Sequence, residues 1–96
     1  MNIEVKGVHF DVGESTRNYL DKKLDKLDHA REDLVDLLFT LTKETRGYTL
    51  ESHVHFRWGA KGHITVKTFD LNEGIDKLID KLVNKVNKER KKVKEH

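Results

Sequence analysis

Residues 70–96 read DLNEGIDKLIDKLVNKVNKERKKVKEH. Leu71, Ile75, Leu78, Ile79, Leu82, Val86 and Val93 recur there at steps of three, four and seven, a spacing that puts them on one face of an α-helix. Asp70 is placed to cap the first turn, and Glu73 three residues on completes a capping box. The spacing therefore predicts one long amphipathic helix from Asp70 to the end of the chain. A helix with one apolar face needs a second layer to cover it, and the rest of the chain must supply that layer.

The preceding segment has the period of strands. Val35, Leu37, Phe39 and Leu41 alternate with Asp36, Leu38, Thr40 and Thr42, and Arg46-Gly47 marks a turn. Leu50, Ser52, Val54, Phe56 and Trp58 then oppose Glu51, His53, His55 and Arg57. Gly59 to Gly62 turns the chain into a last strand, His63 to Phe69, so three strands form an antiparallel meander. Further upstream, Ile3 and Val5 alternate with Asn2, Glu4 and Lys6 in another half-buried strand ended by Gly7. Between it and the meander lies a helix with Tyr19, Leu20, Leu24 and Leu27 on its apolar face. Its start has two candidates, an Asp11–Glu14 capping box or a Gly13 cap, and Asp28 to Asp33 reads as a polar connection. A strand, a helix and a strand imply a parallel pair with a right-handed crossover. The fold class expected is thus a two-layer α/β (α+β) sandwich, β-α-β-β-β-α, with a four-stranded mixed sheet and both helices on one face.

Composition narrows the functional classes. With 96 residues, 38% charged and 35% hydrophobic, the chain suits one small domain (residues 1–96) with a thin core. It has no cysteine, so it has neither a disulfide nor a thiolate metal site, and its first residues resemble no leader; a cytoplasmic protein is the expectation. Net charge is only +2, but its distribution is uneven. Residues 71–96 carry eight Lys/Arg and five Asp/Glu, whereas residues 1–70 carry eleven and twelve. On the helical wheel Lys77, Lys81, Lys85, Lys88 and Lys92 fall within roughly 80° of one another, with Glu73, Asp76 and Asp80 on the flank. Such a stripe fits an anionic partner, and lysines used as point charges fit phosphate backbone better than base sequence. The plainer reading is a solvated helix face. It applies more strongly to Lys22, Lys23 and Lys26, because Asp21, Asp25 and Asp28 interleave with them.

Catalytic and metal chemistry find little support. Ser15 and Ser52 are the only serines, and no glycine-rich phosphate loop precedes a helix, so no enzymatic activity is expected. His53 and His55 share a strand face, but the hairpin is expected to set His55 opposite Thr65 or Lys67 and leave His63 near Arg57. Three ligands at about 2 Å from one ion would not then converge, so neither a metal nor another cofactor is expected and the histidines belong on the wet face. Trp58, Phe56 and Phe39 read as packing residues, with base stacking by Trp58 the lesser reading.

MNIEVKG at the start, YLDKKLDKL in the first helix and EGIDKLIDKLVNKVNKERKKVKEH at the end together resemble the short ribosome hibernation promoting factors, the ribosome-associated inhibitor family once called sigma-factor modulation proteins. The resemblance spans the whole chain. It implies a fold like that of double-stranded-RNA-binding domains and a protein that sits on the small ribosomal subunit, contacts its ribosomal RNA, occludes the messenger and transfer RNA sites in stationary phase and inhibits translation. Carried over by position, the basic residues of the family fall on Lys23 and Lys26 in the first helix and on Lys81, Lys88, Arg90, Lys92 and Lys94 in the second. Lys77, Lys85 and Lys91 complete the RNA-binding set expected here, while Asn84 stands where the family pattern suggests a cation. Longer relatives add a dimerising domain, so this chain, ending at His96, resembles the short type that pairs ribosomes only with a separate modulation factor. A membrane or a small-molecule substrate is not expected. A general double-stranded-RNA-binding module and a protein-interaction domain are the alternatives.

Overall fold

The computed structural model describes residues 1–94. Its elements are β1 (Asn2–Val8), α1 (Glu14–Lys23), a 3₁₀ segment (Leu24–Asp33), β2 (Leu34–Lys43), β3 (Tyr48–Phe56), β4 (Lys61–Thr68) and α2 (Leu71–Lys94). The strands lie in the order β1-β2-β3-β4, β1 parallel to β2 and the remaining pairs antiparallel. Alternation decides which face is dry. Leu37, Phe39 and Leu41 of β2, and Leu50, Ser52, Val54 and Phe56 of β3, are buried. Thr42, Thr49, Glu51, His53 and His55 point to the other face.

Onto the dry face α2 lowers Ile75, Leu78, Ile79, Leu82 and Val86, all fully buried, and α1 with the 3₁₀ segment adds Leu20, Leu24, Leu27 and Ala30. These residues form one contiguous core cluster. Burying the leucine, isoleucine and phenylalanine side chains at about 1.5–3 kcal/mol each is what holds the helical layer on the sheet. The helix starts as its sequence requires, with the Glu73 amide donating to Asp70 Oδ1 at 2.9 Å. Gly74 lets α2 come close to the sheet: a Cβ there would run into the Thr68 side chain and lie 2.9 Å from Leu50 Cδ1.

Several local expectations change. Gly13 is the N-cap of α1 and no side chain caps it, so the Asp11–Glu14 box does not form. Asp28 to Asp33 continues a 3₁₀ turn begun at Leu24, which lets Leu27 and Ala30 reach the core before β2 begins. A shift in the β2–β3 register between Leu34 and Asp36 makes Leu34 the buried residue and leaves Val35 41% exposed. Strand β4 starts at Lys61, inside the expected turn, and stops before Phe69. The earlier start slides the hairpin register, so His53 pairs with His63 and His55 with Lys61, against the expectation that His55 would face Thr65 or Lys67 and His63 lie near Arg57. At the ends of α2, Leu71 is half-buried and Val93 is 42% exposed, so the apolar stripe reaches solvent at its C-terminal end.

Candidate nucleic-acid interface

Helix α2 divides into three flanks. The first is the buried stripe. The second faces α1 and the 3₁₀ segment and is where the acids of α2 are used. Asp76 Oδ1 accepts from the Tyr19 hydroxyl at 2.7 Å and lies 3.4 Å from Lys23 Nζ, while Asp80 pairs with Lys26 at 3.2 Å. Asn87 meets His29 at 2.8 Å. The Tyr19 hydrogen bond, aided by Lys23 and Lys26, holds the Asp76 carboxyl below the usual aspartate range, and the same bond holds the Tyr19 hydroxyl above the usual tyrosine value. Lys23 and Lys26 are therefore paired across helices, and the neighbouring Asp21, Asp25 and Asp28 are not their partners.

Toward the C-terminal end this flank has a further pairing. Arg90 Nε donates to Asp33 Oδ2 at 2.7 Å, with side-chain exposures of only 21% and 18%, and Arg57 reaches the other oxygen of Asp33 at 3.3 Å. One carboxylate at the end of the 3₁₀ segment thus ties β3's outgoing loop to α2. Arg90 is held as a structural group, and only the part of its guanidinium turned from Asp33 is open to a partner.

The third flank is basic and looks out past β4. Lys81 and Lys88 are exposed and Lys85 is half-buried, with no salt bridge to any of the three among the described residues. Opposite them His63, Ile64 and Thr65 of β4 form the other wall of a groove of about 310 Å³, with Asn84 in line between the lysines. The aliphatic stem of Lys85 lies flat over Gly62, where a Cβ would come 3.1 Å from Lys85 Cε. That packing accounts for the half-burial of Lys85, whose apolar stem covers the strand. Lys77 lies 3.8 Å from Glu73 in an exposed pair, and Lys92 lies 3.7 Å from Glu89, whose side chain is only 14% exposed; each pair is one helical turn apart. Lys91 has an interaction of its own, and the Lys94 side chain lies outside the described residues.

Of the residues expected from sequence, the fold thus brings Lys81, Lys85 and Lys88 together without competing carboxylates. It sets Lys23 and Lys26 against the acids of α2. The wall contributed by β4 was not anticipated, since only the hairpin register and the glycine at position 62 reveal it.

On the wet face His53 and His63 stack with ring centroids 4.3 Å apart and 14° between planes. His63 Nε2 is 3.2 Å from Glu51, and His55 Nδ1 is 3.6 Å from Asp36. Among the described residues no three His, Cys, Asp or Glu side chains are placed to hold a metal ion. Trp58 stacks on Phe56 at 5.2 Å, with its indole Nε1 buried and without a hydrogen-bond partner among the described residues, which makes it a packing residue. No helix of the described residues is long and apolar enough to cross a membrane.

Comparison with known proteins agrees with this architecture. The chain is 26% identical over 96 residues, the full length of both, to the Escherichia coli (strain K12) protein named "Ribosome hibernation promoting factor", and 25% identical over the same length to that of Salmonella typhimurium. Its fold superposes with a TM-score of 0.79 on the N-terminal domain of Protein Y from Thermus thermophilus, at 26% identity, covering 92% of this chain and 98% of that one. A ribosomal subunit interface protein from Coxiella burnetii gives a TM-score of 0.86 at 19% identity, covering 94% and 98%, and shows the shared fold. The family described as Sigma 54 modulation protein / S30EA ribosomal protein matches residues 3–94, and the chain belongs to it.

Proposed function

We propose that this chain is a ribosome hibernation factor: a single cytoplasmic ribosome-binding domain that docks on the small subunit in the messenger and transfer RNA channel and inhibits translation by occupying it. The observation that carries the proposal is the set Lys81, Lys85 and Lys88, without a salt bridge among the described residues and in register on a flank of a helix about 36 Å long, apart from Asp76 and Asp80, which are paired toward α1. Ribosomal RNA is recognised largely by phosphate charge and backbone shape, so a rigid row of ammonium groups can follow a groove or bridge two RNA segments. Lys77 and Lys92 extend the basic flank toward the helix ends, and Lys91 adds charge beside it. Lys23, Lys26 and Arg90 contribute through what their carboxylate partners leave free, and Lys94, whose side chain lies outside the described residues, completes the proposed set. Family membership and the names of the full-length relatives support the ribosome as the partner. The action is steric. One copy per ribosome should inhibit cell-free translation without cleaving or modifying RNA, and messenger with initiator transfer RNA should compete with it.

Sedimentation with purified small subunits at two salt concentrations tests the reading. The chain should co-sediment at low salt and dissociate as salt rises, and Lys81→Glu with Lys88→Glu should abolish association while circular dichroism stays unchanged. Retained binding by the folded double variant would overturn the assignment of this helix flank. Equal affinity for any RNA duplex would favour a general double-stranded-RNA-binding module. Inhibition far below one copy per ribosome would replace occlusion by turnover.

A further inference from the structure

Phe69 stands between β4 and α2 with 83% of its surface exposed, by far the most exposed large apolar side chain among the described residues. Water around an aromatic ring of this size is released when something flat covers it. The ring borders a cleft of about 560 Å³ that also has Arg46, Tyr48, Lys67 and Thr68 in its walls. Arg46 and Lys67 have no salt bridge among the described residues, and Glu44 is the single acid lining the cleft. Asp70, next in sequence, is committed to the α2 N-terminus through the Glu73 amide.

Tyr48 is already used. Its ring packs edge-on against Phe10 at 5.5 Å and carries Lys43 over its face at 4.6 Å. Phe69 is the aromatic face left open, and cations flank it.

We propose that Phe69 is a stacking platform for one unpaired RNA base, with Arg46 and Lys67 holding the phosphates on either side. An aromatic face beside cations is how single-stranded nucleic acid is held without base-specific hydrogen bonds, since every base has a π-face and every nucleotide a phosphate. The cleft opens at the hairpin end of the sheet, where Thr68 leads into α2, and is lined by none of the residues of the lysine groove. The proposal rests on the RNA-binding reading above and adds a second contact of different chemistry.

The test uses the full chain and a single-stranded RNA of about ten nucleotides carrying 2-aminopurine, whose fluorescence is quenched on stacking. The unaltered chain should bind and quench. Phe69→Ala should weaken binding between about fivefold and a hundredfold and abolish the quench, with the slope of log affinity against log salt unchanged, because stacking releases no counterion. Phe69→Trp should restore both, whereas Arg46→Gln with Lys67→Gln should flatten the slope. Phe69 is exposed, so these variants should keep the circular dichroism of the parent. Binding and quenching by Phe69→Ala at the level of the parent would overturn the proposal. So would a loss confined to whole subunits with naked RNA unaffected, which would make the partner a ribosomal protein. If the unaltered chain bound neither the oligonucleotide nor small subunits, the RNA-binding reading itself would fall.

Discussion

Salt dependence offers the sharpest measure of the basic flank. Replacing Lys81, Lys85 and Lys88 by glutamine removes three ammonium groups while keeping a shorter aliphatic stem beside Gly62 at position 85. Each phosphate neutralised contributes about 0.9 to the slope of log affinity against log salt for a duplex and about 0.7 for a single strand. The triple variant should therefore flatten the slope by about 2 to 3 units, and on doubling the salt the parent should lose about four- to sixfold more affinity than the variant. Titrating labelled protein against small subunits at four or five salt concentrations reads this directly. Lys23→Gln with Lys26→Gln provides the contrast. Their ammonium groups lie 3.4 and 3.2 Å from carboxylates, so two substitutions should flatten the slope by less than two of the three free lysines do. An unchanged slope in the triple variant, or a larger change from the Lys23 and Lys26 pair, would refute the reasoning.

Stability makes further demands. Leu82 is fully buried at the centre of the α2 stripe, so Leu82→Ala should cost about 2–5 kcal/mol in urea unfolding; a loss under about 1 kcal/mol would mean that α2 is not docked as described. Gly74→Ala should destabilise by about 1 kcal/mol even though alanine is favoured over glycine in helices by a similar amount, because its Cβ would lie 2.8 Å from Thr68 Cβ. A gain in melting temperature would refute it. Asp76 has a folded pKa below its usual value, so the stability it contributes is complete above the ordinary aspartate range and lost as pH falls through the folded value. Tyr19→Phe removes the largest cause of that shift, so the gap in melting temperature between parent and variant should close from pH 5 toward pH 2. A constant gap would exclude the Tyr19–Asp76 bond as its source.

How much of this was readable beforehand depends on the range of each interaction. The α2 stripe, the Asp70 cap and the alternation of β2 and β3 are local patterns, and the fold keeps them. Val35 failed because a register shift is set by two strands jointly, and a period of two read along one strand carries no trace of it. The His53–His63 stack follows from where β4 begins, which the Gly59 to Gly62 turn left open by two residues. For the interface, sequence showed ten candidate cations and set Lys23 and Lys26 lower only on account of the acids beside them in the chain. Sorting them required knowing that Asp76 and Asp80 lie across from Lys23 and Lys26, more than fifty positions away, and that Asp33 holds Arg90. Charge partners distant in sequence have no signature in a helical wheel.

Strand β4 lies at the edge of the sheet, so its outer backbone groups have no neighbouring strand. A strand in that position can template sheet growth from one molecule to the next. Its sequence, KGHITVKT, blocks the most symmetric way of doing so. If two copies pair antiparallel about Ile64, Lys61 of each meets Lys67 of the other, and directly opposed like charges oppose the pairing. Sliding to a register centred on either lysine sets it against its own copy and shortens the shared ladder. The guard against edge-to-edge pairing thus lies in the same strand that walls the lysine groove, and replacing Lys61 and Lys67 together by threonine should raise self-association, read by light scattering against concentration.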